Sequence, residues 1–179
     1  MRIATRADSA NTQESKMAQS DALIQIDGIT GETQQDGLDG YMELLSWSIG
    51  ASNSSTFGSG TGGGKGKSVL QDLHCTKTVD KASPVIFQYC AFGNHVDTVT
   101  FVARKAAGPD NKLTYITTKL TNCFITSYQK SGGSDGGAME SFSITFEKIH
   151  DEYQPQDKSG AAEGGAVGFD YNVATGKDQ

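Results

Sequence analysis

From Asp21 onward the chain alternates apolar and polar residues with a period of two, the spacing of a half-buried β-strand. Ala22, Ile24 and Ile26 share one face of a first strand, which ends at Asp27 and Gly28. Over residues 41–50, Leu45, Trp47 and Ile49 point one way while Ser46 and Ser48 point the other. Val99, Phe101 and Ala103 oppose Thr98, Thr100 and Arg104. The clearest segment is 141–147, with Phe142, Ile144 and Phe146 on one face and Ser141, Ser143, Thr145 and Glu147 on the other. Residues 112–130 are rich in threonine, tyrosine and isoleucine, which suit strands. Phe169, Tyr171 and Val173 alternate again near the end.

Strands that are polar on one face and apolar on the other belong to antiparallel sheets with one wet side. The pattern therefore predicts an all-β fold whose core is anchored by Trp47, Phe142, Ile144 and Phe146. It places Ser46, Ser48, Ser141, Ser143 and Thr145 on a wet face of the kind that lines the lumen of a large barrel or a ring wall.

One helix interrupts the strands. Ser83 followed by Pro84 predicts an N-cap hydroxyl and a proline at the first helical position, and Gly93 supplies the stop. Val85, Tyr89 and Phe92 fall on one stripe with Ile86 and Cys90 beside it, so this short apolar helix is expected to be substantially buried. Glycine-rich loops follow at 52–67, 131–137 and 159–165. The first exceeds the ~12–15 residues beyond which structureless loops tend to be functional or disordered. Projecting from a small barrel, it is placed to reach a neighbouring subunit, with Phe57, Lys65 and Lys67 as its candidate contacts. Residues 1–20 are polar and without periodicity, and read as a disordered extension before one domain at 21–176; Met17 is a candidate alternative start.

Composition narrows the function classes. Glycine is abundant at 22 of 179 residues and proline scarce at 3, which suits strands, turns and loops. A net charge of −6 repels nucleic-acid phosphates and anionic membranes, and the short apolar runs fall far below a membrane span. The first residues carry no apolar stretch for a secretory signal, so synthesis and folding in the cytoplasm are expected, and any export would need a route that reads no such signal. Cys75, Cys90 and Cys123 are odd in number, widely spaced and free of any CxxC, which points to reduced, buried thiols rather than to a disulfide framework or a metal site.

Signals for catalysis or a cofactor are weak. Gly66-Lys67-Ser68 ends like a phosphate-binding loop, but residue 61 is Thr where that motif needs glycine, and Val69 and Leu73 continue as a strand rather than a helix. Gly58, Gly60 and Gly63 match GxGxxG with no βαβ unit around them. His74, His95 and His150 are dispersed, and His74 and Cys75, as strand neighbours, point to opposite faces. A serine-histidine-aspartate site meets only in space, and no GxSxG elbow supports one; Asp151 and Glu152 read as solvated. The reading is a non-enzymatic protein without cofactor or metal. A ligand-holding barrel would call for an apolar strand face instead, and a nucleotide enzyme would have to use residues 60–68.

The ordered blocks IDGITGE (26–32), LLSWSIG (44–50), LQDLHCTKTVDKASP (70–84), VTFVARKAAG (99–108), SITFEKIHDEYQPQ (143–156) and GFDYN (168–172) resemble the Hcp family of bacterial type VI secretion systems. The resemblance runs in order over residues 21–172. It implies two packed antiparallel sheets forming a small β-barrel with one flanking helix, as in phage tail tubes. It also implies a homohexameric ring that stacks into a tube, driven by a contractile sheath, tipped by a spike protein and loaded with effector cargo. Such a protein is itself secreted. Departures are the leader before Met17 and the unusually glycine-rich 52–67 loop, and the chain past 172 is too short for a fused toxin domain.

Overall fold

A computed structural model describes residues 21–54, 68–107, 112–134 and 137–177. Ten strands and one helix follow in chain order: β1 (Asp21–Ile26), β2 (Met42–Leu44), β3 (Ser46–Ser48), β4 (Ala51–Asn53), β5 (Ser68–Leu70), β6 (Leu73–Thr78), α1 (Ser83–Phe92), β7 (His95–Ala106), β8 (Lys112–Ser131), β9 (Met139–Tyr153) and β10 (Val167–Asn172). Eight strands form one antiparallel sheet in the order β2-β1-β7-β8-β9-β6-β3, with β10 added to β9. The two ends of that path are consecutive in the chain. Residues 42–48 bend at Leu45, giving one half to β1 and the other to β6, so the sheet nearly closes on itself as a barrel. β4 and β5 pair separately as a two-stranded ribbon.

Bending a sheet this far needs local relief. β7 shifts register between Ala103 and Arg104, and β8 between Ile125 and Ser127, both positions where an extra residue sharpens the turn of the strand. The inward phase fills the barrel: Ile24, Ile26, Val99, Phe101, Leu120, Phe142 and Ile144 are essentially inaccessible. Trp47 is half-buried against this cluster, its ring 4.4 Å from that of Phe101.

Three expectations need correction. Leu45 does not share the face of Trp47; it is 59% exposed, because the bend at that residue breaks the alternation between β2 and β3. Ser83 is not the N-cap. Ala82 holds that position, while the buried Ser83 hydroxyl accepts a hydrogen bond from the backbone N–H of Asp80 at 2.9 Å. Nor is α1 substantially buried: Ile86 is sealed and Val85, Tyr89 and Cys90 touch the core, but Phe87 and Phe92 are 55% and 73% exposed. A ten-residue helix lying on the outside of a closed barrel has only one stripe to bury, and here the opposite stripe is also apolar. Gly93 ends the helix in the left-handed conformation (φ 65°), as glycine at that position favours.

Candidate functional site

Four neighbouring strands, β3, β6, β9 and β8, turn the same outer surface to solvent. Their registers align Ser46, Thr76, Ser141 and Gln129 in one row and Ser48, His74, Ser143 and Ser127 in the next row on that face. Between these rows, on the inward face, lie Trp47, Cys75, Phe142 and Tyr128. Directly paired residues share a face, so the sheet carries a hydroxyl-rich surface on one side and the apolar core on the other. The eight outward residues include no carboxylate and no large apolar side chain.

Ser46, Ser48 and Ser141 are exposed, and Thr145 is half-buried in the following row, beside Phe124. Ser143 differs, at 7% exposed. Its hydroxyl lies 2.7 Å from His74 Nδ1 and accepts from the Ser127 hydroxyl at 2.7 Å, so its neighbours on the same face cover it. One step further along, Asp72 Oδ2 accepts from the Thr126 hydroxyl at 2.6 Å. Phe142 and Ile144 are sealed in the core and Phe146 nearly so. The candidate loop contacts Phe57, Lys65 and Lys67 lie outside the described residues.

The spacing in the sequence left parts of this surface unassigned. His74, Thr76, Ser127 and Gln129 belong to it, and the alternation of Leu73, Cys75 and Lys77 with His74, Thr76 and Thr78 was the available signal for β6. That same alternation puts Lys77 in the apolar phase, where it is 0% exposed. Its ammonium group contacts Glu140 Oε1 at 2.8 Å and Asp80 Oδ1 at 2.7 Å, and donates to the carbonyl of Thr78 at 2.9 Å. The Tyr128 hydroxyl donates to Glu140 Oε2 at 2.6 Å, and its ring stacks on Phe87 of α1 at 4.9 Å. Burial, then the neighbouring Glu140, push the Tyr128 phenol above its ordinary range, so it remains a donor. This network joins α1 to β8, β9 and β6.

Among the described residues no three His, Cys, Asp or Glu side chains converge on a metal-sized site, and no helix is long and apolar enough to cross a membrane. A flat, neutral, hydrogen-bonding surface fits contact with another macromolecule better than it fits a small molecule.

Comparison with known proteins agrees in sequence and in shape. Residues 23–153 match the family described as "Type VI secretion system effector, Hcp". Protein hcp1 of Pseudomonas aeruginosa is 32% identical over 154 residues, covering 86% of this chain and 94% of that protein. A solved type six secretion system protein superposes with a TM-score of 0.83 at 30% identity, covering 89% of this chain and 99% of the other. Hcp1 from Salmonella typhimurium superposes with a TM-score of 0.75 at 30% identity, covering 91% and 100%. The nearly closed barrel, the outward-facing serines and the match along most of the sequence lead to one assignment: the chain belongs to the Hcp family of type VI secretion system proteins.

Proposed function

We propose that this chain is the subunit of a type VI inner tube, in which six copies close into a ring, rings stack, and the hydroxyl face lines a bore that carries effector proteins. The observation that carries this reading is the pair of outward rows across β3, β6, β9 and β8, eight polar residues without a carboxylate in a chain of net charge −6. A passage for varied proteins needs a surface that stays wet and holds none of them too tightly. Small hydroxyls meet that need.

Ring closure requires a heterologous interface, two different patches that meet between neighbours. The exposed Phe87 and Phe92 on α1 supply one apolar patch. The edge strand β10, with exposed Val167 and Phe169, supplies another. In this reading the glycine-rich 52–67 loop reaches along the tube through Phe57, Lys65 and Lys67. A domain at 21–176 then does the assembling, with residues 1–20 as an extension of it. In this reading the protein is made in the cytoplasm, is pushed out by the sheath behind the spike, and leaves the cell with the tube. A ligand-holding barrel finds no support, because side chains from β1, β2, β3, β6, β7, β8 and β9 fill the barrel interior.

Native mass spectrometry and negative-stain imaging at high concentration test the proposal. The expected species is a ring of six times 18.9 kDa. A strictly monomeric protein under those conditions overturns it.

A further inference from the structure

His74 is an exposed ring at the centre of the hydroxyl face, with Ser48 paired to it on one side and Ser143 on the other. Ser127 Oγ and His74 Nδ1 each lie 2.7 Å from Ser143 Oγ, and a relay in which Ser127 donates to Ser143 and Ser143 donates to Nδ1 satisfies all three. Run in that direction, the relay makes Nδ1 an acceptor and puts the ring proton on Nε2, the tautomer that free histidine also prefers. The Nε2–H then faces outward as a fixed donor. Serine hydroxyls rotate to suit any partner; this donor does not.

We propose that His74 is a specificity-determining residue of the hydroxyl face, held by Ser143 and Ser127 as a hydrogen-bond donor that selects carried proteins presenting a carboxylate oxygen. The inference rests on the reading of this face as a cargo surface. The two rows contain no acid, so a carboxylate brought to His74 meets no like charge within them. Across the sheet the imidazole is paired with Ser48 of β3 and Ser143 of β9, both neutral, and Ser127 of β8 lies behind Ser143. Asp72 is the nearest acid along the same strand phase, and its carboxylate already accepts from Thr126. Lys77 is sealed on the opposite face with its own carboxylates.

The test uses the assembled protein and three labelled hexapeptides, oligoglutamate, oligoserine and oligolysine, titrated by fluorescence anisotropy. Oligoglutamate is expected to bind most tightly, and His74→Leu to weaken it by about tenfold, the loss of one hydrogen bond to a charged group. His74→Gln, which keeps a neutral donor, restores part of that loss. Nitrogen-15 shifts of labelled histidine are expected to report the Nε2–H tautomer in the native protein and a mixture in Ser143→Ala. Equal binding of oligoserine and oligoglutamate, or oligoglutamate binding unchanged in a folded His74→Leu protein, overturns the proposal, as does an Nδ1–H tautomer. These readings are made on whatever species the native mass spectrum shows. A monomer that still selects oligoglutamate through His74 defeats the tube reading alone, whereas a ring indifferent to His74 defeats this inference alone.

Discussion

Cys75 and Cys123 occupy the inward phase of β6 and β8, and burial pushes both thiols up, Cys123 to about 12. The folded state therefore keeps protons that the unfolded chain releases near pH ~8.5. Stability contributed by each thiol is complete below that pH and declines as pH rises toward the folded value, by about 1.4 kcal/mol per pH unit per thiol. The urea midpoint is expected to fall between pH 9 and 11, and to fall less in Cys123→Ala. At pH 8, iodoacetamide should modify the half-buried Cys90 well before the other two, read by peptide mass mapping. Neighbours in β3 give an independent check of facing. Trp47→Ala is expected to cost about 3 kcal/mol, the low end for a large core truncation because the ring is only half-buried. Ser48→Gln should stay within about 0.5 kcal/mol of the parent while weakening cargo binding. Matching losses in the two variants would show that the faces are reversed. The alternation that separates these residues is written in the sequence. Leu45 is the exception, since a bend two residues before Trp47 inverts the phase and nothing in the local composition announces it.

At the scale of elements, the strands were legible because each has a wet and a dry side, whereas α1 misled. An apolar helix reads as a buried one, yet α1 lies on the outside of the barrel and keeps Phe87 and Phe92 in the open. Its attachment depends on the Lys77, Glu140, Asp80 and Tyr128 network, which joins strands far apart in sequence and gives no local signal beyond a lysine out of phase. Lys77→Met leaves two carboxylates near the barrel end without their cation, and is expected to lower stability by about 3–5 kcal/mol in urea unfolding. A change below ~1 kcal/mol would mean that water already solvates the cluster. Gly31 marks a second hidden constraint. A Cβ there would come 2.1 Å from the carbonyl oxygen of Tyr41, so Gly31→Ala forces the backbone apart and should cost about 1–3 kcal/mol by the same measurement.

For the whole molecule, the net charge of −6 becomes about −36 in a ring of six, so ring stacking is expected to strengthen with added salt as repulsion is screened. Sedimentation at 50 and 500 mM salt would read this directly, and stacking that weakens with salt would point to charge-paired rather than apolar contacts. Phe92→Ser should leave the protomer's melting temperature nearly unchanged while reducing the ring population, because the side chain meets solvent in the protomer. By itself the sequence determined the fold class, the inward anchors and the hydroxyl character of the outer face, since period-two alternation is a local property that any half-buried strand must display. Closure of the barrel through residues 42–48, the relay from Ser127 through Ser143 to His74, and the sealed charge network were decided only by the tertiary structure. Each of those depends on register between strands separated by tens of residues. Register is set by the packing of the whole sheet, and no short window of sequence contains it.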